Sequence, residues 1–134
     1  MRMKKMIAII MAVIMIMAMT AVALADTVSF TGFYLDNGIY GKQQTPSVVK
    51  TTPTNNSSRT VITSISGATS EEPMVARVRK NDGSEASSTI DISSTGTYMK
   101  TWKSGYGING ESYYLMMQNT TYGPPVTVSG TFTP

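Results

Sequence analysis

The chain contains no histidine and no cysteine. Those absences remove the Ser-His-Asp and Cys-His nucleophile systems, imidazole general bases and the usual zinc ligand sets. They also remove the disulfide framework on which many small exported domains rely. Core packing and sheet hydrogen bonds must hold this chain together. Charge is sparse too, at 14% of the 134 residues. The hydrolytic option that remains is a pair of carboxylates of the glycosidase type. Most acidic residues after position 25, among them Asp36, Glu71, Glu72, Asp82 and Glu85, stand in turn-like or loop stretches, where a carboxylate is simply solvated. Only Asp91 and Glu111 fall within or at the start of an expected strand. The sequence points to no catalytic residue and no cofactor.

What the chain does have begins at its N-terminus. Arg2, Lys4 and Lys5 precede an apolar run from Ile7 to Ala25 that only Thr20 interrupts, and Asp26 then opens a polar chain. A basic segment, an apolar segment and a small-x-small end make a secretory signal. Ala23-Leu24-Ala25 supplies that end, with Ala23 and Ala25 as the small residues a signal peptidase grips. An uncleaved anchor is the alternative, because the run nearly reaches bilayer-spanning length. No cysteine offers a lipobox, and Phe132-Thr133-Pro134 is not a sorting tail. The expectation is a released extracellular protein, residues 26–134, that meets a membrane only through its signal peptide before cleavage.

Removing the signal changes the charge argument. The formal balance is +3, from 11 basic and 8 acidic residues, and three of the bases lie in the signal. Residues 26–134 are therefore neutral. Nucleic-acid binding needs a basic footprint to release counterions, so no nucleic-acid partner is expected.

The remaining stretch is long enough for one domain. Thr and Ser are abundant in it and helix formers scarce, and short alternating runs divided by turn residues recur, which is the all-β pattern. The runs are 28–35, 47–52, 59–66, 74–79, 88–93, 97–102, 112–119 and 126–132. Met74, Ala76 and Val78 alternate with Val75, Arg77 and Arg79, which sends one face to a core and the other to water. Asp36-Asn37-Gly38 and Asn81-Asp82-Gly83 read as tight turns. The expected fold is a two-layer antiparallel β-sandwich of about eight short strands, with a barrel as the alternative. Lys103–Gly110 and residues 53–58 are the candidate functional loops.

Some motifs look functional and read better as structure. Gly105-Tyr106-Gly107-Ile108-Asn109-Gly110 matches G-x-G-x-x-G, but the dinucleotide fingerprint needs a helix to follow, and Ser112–Asn119 reads as a strand. A flexible Gly-rich connection is the expectation. The two acidic turns lack the ligand spacing of a calcium loop, so no metal site is expected. Asn55, Asn56 and Asn119 open N-x-[ST] sequons, which have no force in a bacterial chain.

The aromatic residues hold the real ambiguity. On the strand Thr97–Trp102, alternation puts Tyr98, Lys100 and Trp102 on one face and Met99 and Thr101 on the other. A lysine in mid-face argues against deep core, so Tyr98 and Trp102 would flank a cation on a partly exposed surface suited to a flat ligand. The other reading is that Trp102 plugs the end of the sandwich while Lys100 snorkels past it. Tyr106, in the Gly-rich loop, is the fourth candidate ligand-binding residue. On Ser112–Asn119 both faces are apolar, Tyr113, Leu115 and Met117 against Tyr114, Met116 and Gln118. That strand is either central and covered or carries an outer patch.

With the signal ending in Ala-x-Ala, three stretches carry a resemblance: Thr54-Asn55-Asn56, Gly110-Glu111-Ser112-Tyr113-Tyr114-Leu115 and Val128-Ser129-Gly130-Thr131-Phe132-Thr133-Pro134. In these the chain resembles a family of small uncharacterised secreted all-β proteins of Gram-positive bacteria, a domain of unknown function. Phe132 stands where that family usually has tryptophan. The resemblance implies secretion and a β fold, and brings no catalytic residues with it.

The leading functional expectation is a secreted, non-enzymatic binding or interaction protein whose partner is a cell-wall glycan or another surface protein. A bacteriocin-like secreted factor acting on neighbouring cells is one alternative. A carboxylate-based glycan hydrolase using Asp91 and Glu111 is the other.

Overall fold

The computed structural model describes residues 26–37, 41–51, 56–120 and 123–134. The signal segment and its alanines, and Gly38 of the first turn, lie outside these residues. Nine strands form in chain order: β1 (Val28–Leu35), β2 (Lys42–Gln44), β3 (Val48–Val49), β4 (Ser57–Ser66), β5 (Met74–Lys80), β6 (Ile90–Ile92), β7 (Gly96–Thr101), β8 (Ser112–Gln118) and β9 (Val126–Thr133). No helix occurs among the described residues.

The strands make two antiparallel sheets, one in the order β1-β9-β4-β7 and one in the order β2-β8-β5-β6, with β3 also paired to β8. This is the expected sandwich, with one strand more than the sequence suggests. The extra strand is β2, Lys-Gln-Gln, whose side chains are all exposed. An edge strand that buries nothing has no alternation to read.

The core lies between the sheets. Phe30, Leu35, Ile62, Val126, Val128 and Phe132 from the first sheet meet Met74, Ala76, Val78, Ile90, Ile92, Tyr113, Leu115 and Met117 from the second. Sheets that pack face to face bury alternate residues of each strand, and β5, β8 and β9 do so without a break. Two strands break the period. In β1, Phe30, Phe33 and Leu35 all pack into or against the core although Phe30 and Phe33 are three apart. A bulge between them absorbs the odd residue. Gly32 sits there at φ +62°, a left-handed conformation that costs other residues roughly 1–2 kcal/mol. In β4 a shift between Ile62 and Ser64 does the same for Ile62 and Ile65.

The Asn81-Asp82-Gly83 turn is a hairpin turn: Gly83 N donates to Lys80 O, and Asp82 Oδ1 accepts from both the N–H and the hydroxyl of Ser84. Asn119 is buried, its amide donating to Leu35 O and Pro124 O. That side chain is a brace between strand ends.

Candidate functional site

The site begins where β7 ends. Trp102 N donates to Asn56 O and Lys103 N donates to Ala86 O, so the chain leaves the first sheet and is tied to the second. The Gly-rich loop that follows is pinned along its length. Gly107 N and Ile108 N both donate to the Tyr113 hydroxyl, at 3.0 and 3.1 Å, and Gly110 N donates to Lys50 O. The Tyr113 hydroxyl in turn donates to Glu111 Oε2 at 3.2 Å, and Lys80 Nζ lies 3.1 Å from that oxygen. Burial pushes the Tyr113 phenol pKa up, opposed by the two loop N–H groups. The loop is ordered by one buried phenol, and β8 follows it where a nucleotide fold would require a helix.

Trp102 packs inside this frame. Its ring lies 4.7 Å from the Tyr113 ring, centroid to centroid. Lys50 Nζ stands 5.8 Å from the indole centroid, within the roughly 6 Å reach of a cation–π contact. Gly107 covers a face of the indole: a methyl group at its Cα would come within 2.5 Å of Cγ and Cδ1 and 2.8 Å of Cδ2. With φ at +77°, Gly107 is also in the left-handed region. Gly107→Ala is therefore expected to cost about 1–2 kcal/mol in backbone strain alone and more through displacement of the indole. Trp102 is the chain's single tryptophan, so a lowered denaturant midpoint and a shifted emission maximum both report on it. An unchanged spectrum would show that the loop does not rest on the ring.

Lys50 is the unexpected member of this group. Its side chain is fully buried, and its ammonium makes one long hydrogen bond, 3.5 Å, to Pro134 O. Burial lowers its pKa below the usual lysine range, and the nearby charge of Asp26 opposes that shift. Its backbone pairs with Glu111 O and Gly110 N, which is why a lysine ends up under the loop. Nothing in the local sequence marks it.

Beside Trp102 an open cleft of about 350 Å³ is lined by Asn56, Thr101, Trp102, Lys103, Ser104, Gly105, Tyr106 and Gly107. Asn56 of the candidate loop 53–58, whose residues 53–55 lie outside the described residues, thus meets Lys103–Gly107 of the other on one cleft. Trp102 and Tyr106 both line it, each half-buried. Tyr98 and Lys100 do not. They point to the inner side of β7 and are half-buried, while Met99 on the outer side is 53% exposed. Tyr98 packs against the core and its hydroxyl donates to Ser94 O at 2.8 Å. Asn56, Lys103 and Ser104 line the cleft without having been candidates themselves; only their loops were. Trp102 Nε1 is buried with no hydrogen-bond partner among the described residues.

The two carboxylates considered for hydrolysis are far apart. Asp91 pairs with Val75, which pairs with Gln118 at the far end of β8, whereas Glu111 precedes the start of that strand. Seven residues of strand separate them by roughly 24 Å at about 3.4 Å per residue, well beyond the roughly 5–10 Å of a glycosidase pair. Among the described residues no three His, Cys, Asp or Glu side chains gather into a metal-binding group.

No family model matches the chain. No curated protein matches it either. Among solved structures it is similar to one described as "EclA C-terminal domain; sugar-binding protein", at 15% identity and a TM-score of 0.36, over 80% of this chain and 76% of that one. The functional reading accordingly rests on this chain's own residues.

Proposed function

We propose that this is an exported, non-enzymatic binding protein of the cell exterior, and that it recognises a glycan of the Gram-positive cell wall through the Trp102–Tyr106 cleft. The observation that carries this reading is the convergence of Asn56 and the pinned loop Lys103–Gly107 on one open cleft of about 350 Å³. That volume falls at the low end of the roughly 300–1,000 Å³ range of ligand pockets, enough for part of a sugar chain. The lining suits the chemistry. Tyr106 and the indole edge offer apolar surface to a ring's C–H face, while Asn56, Ser104 and Lys103 offer donors and acceptors to hydroxyls. With its face covered by Gly107 and Tyr113, Trp102 contributes an edge to recognition, not a stacking platform.

The test is co-sedimentation with isolated Gram-positive cell walls, using the full chain produced with its leader and purified from the medium. Tyr106→Ala and Trp102→Phe are expected to lower the bound fraction about tenfold, since a lost contact of about 1.4 kcal/mol is a factor of ten; both residues pack against the core, so binding is compared well below the thermal midpoint of each variant. Phenylalanine keeps an aromatic ring beside Tyr113 and removes the second ring of the indole together with its N–H. Equal binding by both variants would eliminate the cleft as the site, and no binding by the wild type would eliminate the wall as the partner.

A further inference from the structure

The outward face of the second sheet carries a concentration of positive charge that the neutral overall balance conceals. Arg77 and Arg79 alternate outward on β5, and Glu85 lies beside them through its bridge to Arg79. The Glu85 carboxylate accepts from Arg77 Nη1, lies 3.8 Å from Arg79 Nη2 and accepts from Lys103 Nζ at 3.2 Å. Hydrogen bonding from Lys103, aided by the charges of Arg77, Lys103 and Arg79, lowers its pKa against a modest burial effect. One carboxylate thus answers three cations. Arg79 Nη1 also donates to Gly83 O, and the Nε–H groups of both arginines have no acceptor among the described residues. Across the sheet a second carboxylate, Asp91, pairs with Val75, one outward position before Arg77.

The strand register sets these cations beside a flat amphipathic strip. Gln44, Met116 and Arg77 lie in one row across β2, β8 and β5, Lys42 and Gln118 in the next, and Tyr114 and Arg79 in a third. Two clefts, of about 190 and 60 Å³, share Met116 between them. Adjacent strands lie about 4.8 Å apart, so the Gln44–Met116–Arg77 row extends roughly 10 Å. The two arginines, two residues apart on one strand, are offset by roughly 7 Å.

We propose that this face binds an acidic polysaccharide, its carboxylates meeting Arg77, Arg79 and Lys103 while its rings lie over Met116 and Tyr114. Charge complementarity selects the sign of the partner. Guanidinium forks match carboxylates bidentately. The neutral amides of Gln44 and Gln118 suit hydroxyls, which a bare inorganic anion or an acidic peptide lacks. Glu85 occupies the place that a ligand carboxylate would take and competes for the same donors.

Lys103 lines the loop cleft as well, so Arg77→Gln and Glu85→Gln, which lie outside that cleft, are the variants that separate the two readings and let either fail alone. The probe is polygalacturonate, with dextran as the neutral polymer and poly-glutamate as the acidic peptide, and binding of the full chain is followed at low and at raised salt. Expected are binding to polygalacturonate that weakens with salt, none to dextran and weaker binding to poly-glutamate. Arg77→Gln is expected to lose at least tenfold in affinity and Lys103→Gln a few-fold. Glu85→Gln is expected to gain several-fold, a direction that misfolding cannot mimic. Arg59→Gln removes an exposed cation from the other sheet and is expected to leave affinity unchanged. No binding at low salt, equal binding of dextran or poly-glutamate, or wild-type affinity in both Arg77→Gln and Glu85→Gln would overturn the proposal.

Discussion

Tyr113→Ala is expected to cost about 3–5 kcal/mol of stability, the range for truncating a large buried aromatic side chain. Single domains hold only about 5–15 kcal/mol in all, so this one substitution would bring the chain close to unfolding. Two losses coincide at this position. The ring is fully buried in the core and packs on Trp102. The hydroxyl is the shared acceptor for Gly107 N and Ile108 N and the donor to Glu111. Tyr113→Phe separates the two, because it keeps the ring and leaves three buried or half-buried polar groups short of a partner. Its expected cost is about 1–3 kcal/mol, with a red-shifted Trp102 emission as the loop lifts from the indole and with weakened wall binding. Denaturant midpoints and fluorescence on the three proteins check both steps. A Tyr113→Phe variant with wild-type emission and binding would show that the hydroxyl does not hold the loop.

The second large effect has the opposite sign. Lys50→Met is expected to stabilise the fold by about 1–3 kcal/mol, because a buried charge replaced by an apolar side chain of similar shape no longer has to be desolvated. The ammonium has one long hydrogen bond, one cation–π contact and the nearby charge of Asp26 to set against that penalty. Asp26, whose charge opposes the shift, keeps the Thr51 hydroxyl as a donor. The pH dependence follows from the lowered pKa. Between the folded-state value and the unfolded value near 10.4, the unfolded lysine holds a proton that the folded one has released. Stability therefore rises with pH through that window and is at its lower plateau below it. Tyr113 acts in the other sense above about pH 10, since its raised pKa leaves the folded state holding the extra proton there. The difference between wild type and Lys50→Met isolates the lysine: it should be largest near neutral pH and shrink as pH approaches 10. A constant difference, or a destabilised variant, would mean that the ammonium is well compensated where it lies.

Much of the fold could be read from the linear order of residues, for identifiable reasons. Strands with one face in the core must alternate, and β5 does so residue by residue. The limits also have causes. β2 escaped because a polar edge strand carries no periodic signal. In β1 and β4 the period is interrupted where bulges turn Phe33 and Ile65 back to the core. For β8 the two faces posed a choice between a central, covered strand and an outer patch, and the outer patch is what forms. The strand is central in its sheet, and Tyr114, Met116 and Gln118 still form a half-buried outer patch.

The candidate site divides the same way. Trp102 and Tyr106 could be picked out because aromatic residues at the end of a strand and in a Gly-rich loop are few in this chain. Tyr98 and Lys100 share a face with Trp102 by alternation, but the cleft belongs to the loops beyond β7 and leaves them along the strand. Lysine ranks among the residues least often buried, so Lys50 could be found under the indole only once β3 had paired with β8. The Arg77–Glu85–Lys103 cluster is assembled by the bridge of Glu85 to Arg79 and the bond from Lys103 N to Ala86 O. These contacts join residues up to 17 positions apart in the sequence. By itself the sequence determined the all-β class, most strand positions and the absence of imidazole and thiol chemistry, because composition and period are local properties. Which loops meet, which lysine is buried and where positive charge gathers were decided by the tertiary structure alone, because each depends on strands that pair across long stretches of chain.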